Sequence, residues 1–376
     1  MYEKPSPPEE PAVSQPLVSV CLVVCNVDRF LAESIQSIMD QSFRDFEFII
    51  VDFGSSDRTI PIVRDLQDRD KRIQLRTIPH CGLAEARNAA CEFAVGQYVA
   101  IMDADDVALP DRLEKQVHFM ESHPEIGAVG GATEWIDENG KHLLIQRYSV
   151  EDRRTLKARY LPHNPFCQPS VLLRRKIFLD AGGYRAAFAP AEDLDLWFRI
   201  AERSELANLE SVILKYRLHP NQISQRKLRR QTLCALGAEV AARLRRAGRP
   251  DPLSDVEDIT PEILGHLGVS ESAQQTALAG QYIGWVRTMY MAGDFETALK
   301  IAIEMFNVSR WELAEAWLIA DAQLTMAGLF WRNKQWFSCI SSATHAVVTR
   351  PLVIARPIRS AEKRIRATYK EWGRVG

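Results

Sequence analysis

The sequence predicts an α/β protein: an open, mostly parallel sheet comes first and an all-α region follows. Two observations predict the first part. Short apolar runs rich in β-branched residues, which suit strands buried on both faces, recur through the first 130 or so residues. Segments with apolar residues at helical spacing separate them, and that alternation is the mark of crossovers packed on both faces of a parallel sheet. A third observation predicts the second part: from about residue 225 the pattern is helical only.

The elements follow in order. "LVSVCLVV" (17–24) is the first strand, and Asp28 is placed to cap the helix "RFLAESIQSIMDQ" after it. "FEFIIV" (46–51) is the second strand, and Asp57 is placed to cap a helix running to about Asp70. "RIQLRTI" (72–78) is the third strand, "GLAEARNAACEFA" (82–94) a helix and "QYVAIM" (97–102) the fourth strand. Pro110 opens the next helix, where its missing N–H costs nothing. After Gly127 the rhythm loosens. "AVGGATEWID" and "KHLLIQRY" read as strands around the turn "ENG", with short helices near 151–160 and 175–181. "AEDLDLWFRIAER" (191–203) is a helix and "SVILKYRLH" (211–219) a strand.

The 376 residues leave room for two or three domains. The net charge of −2 hides an asymmetry: residues 1–225 carry 26 Lys/Arg against 34 Asp/Glu, and residues 226–376 carry 21 against 15. An acidic front half argues against nucleic acid as a partner, and a basic back half permits an anionic membrane surface. Seven scattered cysteines, with no CxxC pair and no Cys/His ligand spacing, point to a reducing cytoplasm and no structural zinc. The Pro-rich, acidic start (1–16) reads as a disordered lead-in, and no apolar run approaches the length of a membrane span. The expectation is a cytoplasmic protein, with a peripheral place at the inner face of the membrane as its extension.

Four polar clusters fall at the carboxyl ends of the strands, where open α/β sheets hold their ligands. They are "CNVD" (25–28), "DFGSSD" (52–57), "HCGLAEARN" (80–88) and "DADD" (103–106). Any one cluster could simply end a strand and cap a helix, and Asp111 reads as a dipole partner of that kind. Four on one sheet edge point to a site. Clustered carboxylates tolerate one another when a hard divalent cation, Mg2+ or Mn2+, sits among them and completes its shell with water and phosphates. Arg87, near a helix start, is suited to hold the same phosphates. The implied ligand is a nucleotide diphosphate.

At these residues the chain resembles the inverting family 2 glycosyltransferases, with the GT-A nucleotide-sugar fold. The resemblance runs from about 17 to 225 through "VSVCLVVCN", "QSFRDFEFIIVDFGSSDRT", "GLAEARNAA", "YVAIMDADDVALPDRL", "QPSVLLRRKIFLDAGGYRAAFAPAEDLDLWFRIA" and "YRLHPNQIS". It implies a metal-dependent hexosyltransferase-type enzyme that moves a sugar from a nucleotide diphosphate sugar to a hydroxyl of a glycan or lipid-linked acceptor, in surface polysaccharide or glycoconjugate synthesis. The resemblance puts the nucleotide against Val23, Cys25, Asp52, Phe53, Arg87 and Asp103. It makes Asp105 and His219 metal ligands and Asp193 the catalytic base, with Glu192, Asp195 and Trp197 as acceptor or supporting residues. Trp197 also fits a plain core position, and His219 a plain loop position. Cys25 and Phe53 depart from the aromatic residue and the carboxylate that family members using uridine diphosphate sugars commonly place there. A second reading therefore stands beside the first: a catalytically weak or inactive glycosyltransferase-like protein that binds or scaffolds through its helical region.

The region 226–376 lies outside the resemblance. Residues 282–306 and 324–351 look like tetratricopeptide-type helix pairs, and generic helical hairpins fit them equally. The closing "RPIRSAEKRIRATYKEWGRVG" reads as a basic helix, either a solvated face or a surface for anionic lipid or a protein partner.

Overall fold

A computed structural model describes residues 15–148, 164–219, 227–308 and 342. Contacts divide it into two units. One holds the chain up to Gly140, Ile145–Ala186 and Glu192–Arg217; the other holds Lys141–Leu144, Ala187–Ala191 and the chain from Leu218.

In the first unit, β1 (Val18–Val24) pairs in parallel with β2 (Phe46–Asp52) and β4 (Tyr98–Met102), and β2 with β3 (Ile73–Thr77). All of β2 and β4 is buried, as their mostly apolar sequences require, and the buried Glu47 of β2 is satisfied by Ser19, Gln74 and the Val95 N–H. Beyond β4 the sheet turns mixed. β8 (Leu172–Arg174) runs antiparallel to β4 and to β6 (Ile126–Ile136), β9 (Glu205–Arg217) runs parallel to β6, and the two-residue β5 (Val107–Ala108) is antiparallel to β9. The order is β3-β2-β1-β4-β8-β6-β9-β5. β7 (His142–Gln146) follows the turn at Gly140, whose φ is 80°.

The helices α1 (Asp28–Met39), α2 (Thr59–Arg69), α3 (Leu83–Phe93) and α4 (Arg112–Ser122) alternate with the parallel strands. Leu31, Ile35 and Ile38 of α1, Val63 and Leu66 of α2 and Leu113, Val117 and Met120 of α4 join Val20, Leu22, Phe48 and Ile50 in one core. Two short helical pieces, α5 (Arg175–Asp180) and α6 (Glu192–Ala201), lie further along the chain.

Several local expectations shift. Asp28 is the first residue of α1 rather than its cap. The capping carboxylate is Asp57, which accepts the Asp28 N–H at 3.3 Å and the Thr59 N–H at 2.9 Å and so serves the first turns of two helices. Pro110 stands two residues ahead of α4. β9 starts six residues before the expected strand, because "ELANLE" is half-buried and carries no apolar run.

In the second unit, α7 (Leu228–Arg246), α8 (Pro261–His266), α9 (Glu271–Ala292) and α10 (Phe295–Val308) are helical. Thr260 and Ser270 cap α8 and α9 with their side-chain oxygens. Gly293, at φ 82°, takes the left-handed turn that sends α9 into α10. Leu228, Leu278, Ala279, Tyr282, Ile283 and Met305 form the core of α7, α9 and α10. The expected pair over 282–306 is therefore a hairpin whose first helix begins earlier, at Glu271. The expected helix near 151–160, the second pair at 324–351 and the basic segment at the end lie outside the described residues. Among the described residues no helix is long and apolar enough to cross a membrane.

Candidate active site

The parallel register sets the site. Val24 lies opposite Asp52, and Asp52 opposite Thr77, so three strands end level. Leu22 lies opposite Met102, so the Asp103–Asp106 loop leaves the sheet beside the end of β1. Cys25, Phe53, His80 and Asp103 thus follow strand ends along one edge.

The acidic loop is anchored from three sides. Ser34 of α1 donates to the Asp103 carbonyl at 2.9 Å. Arg217, at the end of β9, donates from Nε to the Asp105 carbonyl and from its backbone N–H to Asp106 Oδ1, both at 2.8 Å. Arg217 is 2% exposed, lies over the Phe30 ring and pairs with Glu33. Arg87 donates to Asp103 Oδ1 at 3.1 Å and to Glu192 Oε1 at 2.5 Å. That one guanidinium joins the β4 loop to the first turn of α6. Burial works against its charge, but Asp103 and Glu192 outweigh burial and hold its pKa above the ordinary value.

Three carboxylates open α6, where the helix dipole favours them, and they do different things. Glu192 is buried, with Oε1 on Arg87 and Oε2 without a hydrogen-bond partner among the described residues. Asp193 accepts from Asn164 Nδ2 at 2.7 Å and from the Leu194 N–H at 2.8 Å. Burial pushes the Asp193 carboxyl up from its ordinary value, and Arg87 and these two donors oppose the rise. Asp195 is fully buried between Arg185 and Arg199, and Arg199 also donates to the carbonyls of Ala181 and Gly183. An acceptor sugar has no surface of Asp195 to touch, so its part is to tie α6 to the preceding loop. Trp197 is likewise fully buried, edge-on to Phe166 at 5.2 Å, and is a support rather than a sugar platform. The sequence could not separate these residues, because carboxylates at a helix start look alike until their partners are seen.

At the other end of the edge, Asp52 is buried and accepts the N–H groups of Gly54 and Ser55, each at 3.2 Å, which shapes the loop after β2. Asn26, at φ 55°, sews that loop to the end of β1: its Oδ1 accepts the Ser56 N–H at 2.9 Å, and its own N–H donates to Ser55 Oγ at 3.1 Å. Val23 and Cys25 are half-buried, and burial, with the nearby Asp52, pushes the Cys25 thiol up. The Phe53 ring lies nearly parallel to His80, 21° between planes and 6.3 Å between centroids. His219 belongs to the second unit. Asn164, Arg217 and His80 escaped the sequence reading. Two of them had a signal: Arg217 its place in "YRLHP", and His80 its place at the head of the cluster "HCGLAEARN".

The acidic loop fits a hard divalent cation. Burial pushes the Asp103 carboxyl up, and Asp105 adds to the rise while Arg87 opposes it. Asp106 is held well above the ordinary range by burial, then by Asp105 and Asp103, and its Oδ2 is buried without a hydrogen-bond partner among the described residues. Negative charge is therefore in surplus here. Among the described residues no three His, Cys, Asp or Glu side chains form a ready-made cage. Magnesium and manganese need none, since one or two carboxylates, water and phosphates complete their shell.

Comparison with known proteins gives the family of the chain. Residues 19–182 match the profile described as Glycosyl transferase family 2. An uncharacterized glycosyltransferase of Methanocaldococcus jannaschii is 36% identical over 217 residues, covering 56% of this chain and 73% of its own. The O-antigen biosynthesis glycosyltransferase WbnJ of Escherichia coli is 31% identical over 229 residues, covering 58% of this chain and 86% of its own. Among solved structures, the mannosyltransferase PcManGT of Pyrobaculum calidifontis, in complex with GDP-Man and Mn2+, superposes with a TM-score of 0.48 at 18% identity, over 89% of this chain and 87% of its own. The chain belongs to glycosyl transferase family 2: it is a glycosyltransferase of the GT-A fold.

Proposed function

We propose that the protein transfers a sugar from a nucleotide diphosphate sugar to an acceptor hydroxyl with inversion, in a metal-dependent reaction, and that Asp193 is the base. The observation that carries this reading is the Arg87 bridge, which holds the Glu192–Asp193 turn and the Asp103–Asp105 loop on one guanidinium. Asp193 takes the proton of the acceptor hydroxyl as its oxygen bonds to the anomeric carbon and the diphosphate departs from the opposite face. A carboxylate pushed up by burial is a better proton acceptor than an ordinary one. Asp105 would hold Mn2+ or Mg2+, with Asp103 beside it on the nucleotide side, and such a cation neutralises the charge gathering on the departing diphosphate. Val23, Cys25, Asp52, Phe53 and Arg87 are assigned to the nucleotide, and Glu192 to the acceptor side.

The Escherichia coli relative, named for O-antigen biosynthesis, supports a glycan or lipid-linked acceptor in surface polysaccharide synthesis. The excess of basic residues in 226–376 supports a peripheral place on an anionic membrane surface, or a protein partner. Co-sedimentation with anionic vesicles over a salt series separates the two: binding that fades with salt supports the membrane, and no binding at low salt leaves the protein partner. A thermal-shift screen of nucleotide sugars with and without manganese tests the donor. Stabilisation by a nucleotide sugar only when manganese is present supports the reading, and no response to any of them contradicts it.

A further inference from the structure

A base bound at the edge of β1 and β2 would meet a ring, Phe53, that cannot accept a hydrogen bond. The Asp52 carboxylate beside it is buried and already accepts two loop amides. The chain after β3 supplies what these two lack. The Ile78 N–H donates to the Asp52 carbonyl at 2.9 Å and carries the chain back over the β2 loop. Two residues on, His80 brings Nδ1 to 3.0 Å from the Phe53 carbonyl oxygen. A carbonyl oxygen only accepts, so Nδ1 carries the hydrogen, and in the neutral ring Nε2 is left as a bare acceptor. His80 is exposed, and Nε2 has no hydrogen-bond partner among the described residues. Gly54 keeps room for the ring: a Cβ there would stand 3.1 Å from His80 Nδ1, and its φ of 114° disfavours any side chain.

We propose that His80 reads the base of the donor: Nε2 accepts a ring N–H that lies next to a carbonyl, while the Phe53 ring offers a flat apolar surface. The inference rests on the nucleotide-sugar reading and deepens it. Uracil, thymine and guanine carry such an N–H. Adenine and cytosine present a ring nitrogen lone pair at the corresponding edge, which repels the lone pair of Nε2. The donor class is therefore uridine, thymidine or guanosine diphosphate sugars, and the site excludes adenosine and cytidine.

Calorimetry of the full chain with manganese and uridine, guanosine, adenosine and cytidine diphosphates tests this, in wild type and in His80→Phe. That variant keeps a flat ring and removes the acceptor. The wild type should prefer uridine or guanosine diphosphate by about 10-fold or more over the other two, the weight of one lost acceptor. The N-methylated form of whichever binds best, 3-methyluridine or 1-methylguanosine diphosphate, should bind wild type about as weakly as adenosine diphosphate. That comparison needs no substitution and holds if the variant misfolds. His80→Phe should erase the preference and leave the affinity for adenosine diphosphate unchanged. Equal affinity for all four bases, indifference to N-methylation or a preference that survives in His80→Phe overturns the role of His80 while the donor reading stands. No binding of any diphosphate overturns both.

Discussion

Asn164 Nδ2 lies 2.7 Å from Asp193 Oδ2. Nδ2 of an amide can only donate, so this contact favours the charged carboxylate and fixes the direction of its oxygens. Asn164 Oδ1 in turn accepts the Phe166 N–H at 3.2 Å, so the amide is itself held in place.

Asn164→Ala should lower kcat by about 10-fold, the scale of one hydrogen bond to a charged group. Loss of a donor to the charged form raises the Asp193 pKa further, so the acid limb of the kcat profile should move to higher pH. A fall in rate with an unmoved limb would mean that Asn164 acts on packing and not on Asp193.

Asp105→Asn should weaken metal-supported binding of a nucleoside diphosphate by about 10–100-fold if one charge-assisted contact of roughly 1.5–3 kcal/mol is lost. Calorimetry in manganese and in chelator reads this. Equal affinity in the variant, or full wild-type affinity in chelator, would contradict the metal assignment.

Glu239, half-buried on α7, has its carboxyl pushed up to about 7 by burial, with Arg243 one turn on opposing. Its folded pKa lies above the unfolded value. The stability it contributes is therefore present at acid pH and lost as pH rises through about 7. Glu239→Gln should melt higher than wild type at pH 8, by roughly 2–4 °C, and no higher at pH 4. An equal difference at both pH values would place the cause elsewhere.

The strands most legible in the sequence were those buried on both faces. "YVAIM" has no polar interruption and "FEFIIV" only Glu47, which accepts from Ser19, Gln74 and the Val95 N–H, and their ends locate the edge where the acidic loop begins. β9 was half missed because its first five residues pair with β6 while mostly only partly buried, so neither alternation nor an apolar run marks them. Within the site, the carboxylate clusters were legible because like charges held together signal a counter-charge. Their division of labour was not. Asp195 looks like Asp193 in sequence and is set apart only by Arg185 and Arg199, and Asn164 lies 29 residues before the carboxylate it holds. His80, one histidine in "IPHCG", gains meaning from a carbonyl 27 residues away.

The role of Asp193 rests finally on separating binding from turnover. The measurement is release of nucleoside diphosphate from the preferred nucleotide sugar with manganese, in wild type and Asp193→Asn, beside calorimetric affinity for the diphosphate in both. A base acts on the proton of the attacking hydroxyl, whether acceptor or water, and not on the donor. Asp193→Asn should therefore cut turnover by about 10²–10⁴ and leave the affinity within about 2-fold. Turnover that persists in the variant, or affinity that falls along with it, would contradict the assignment of Asp193 as the base.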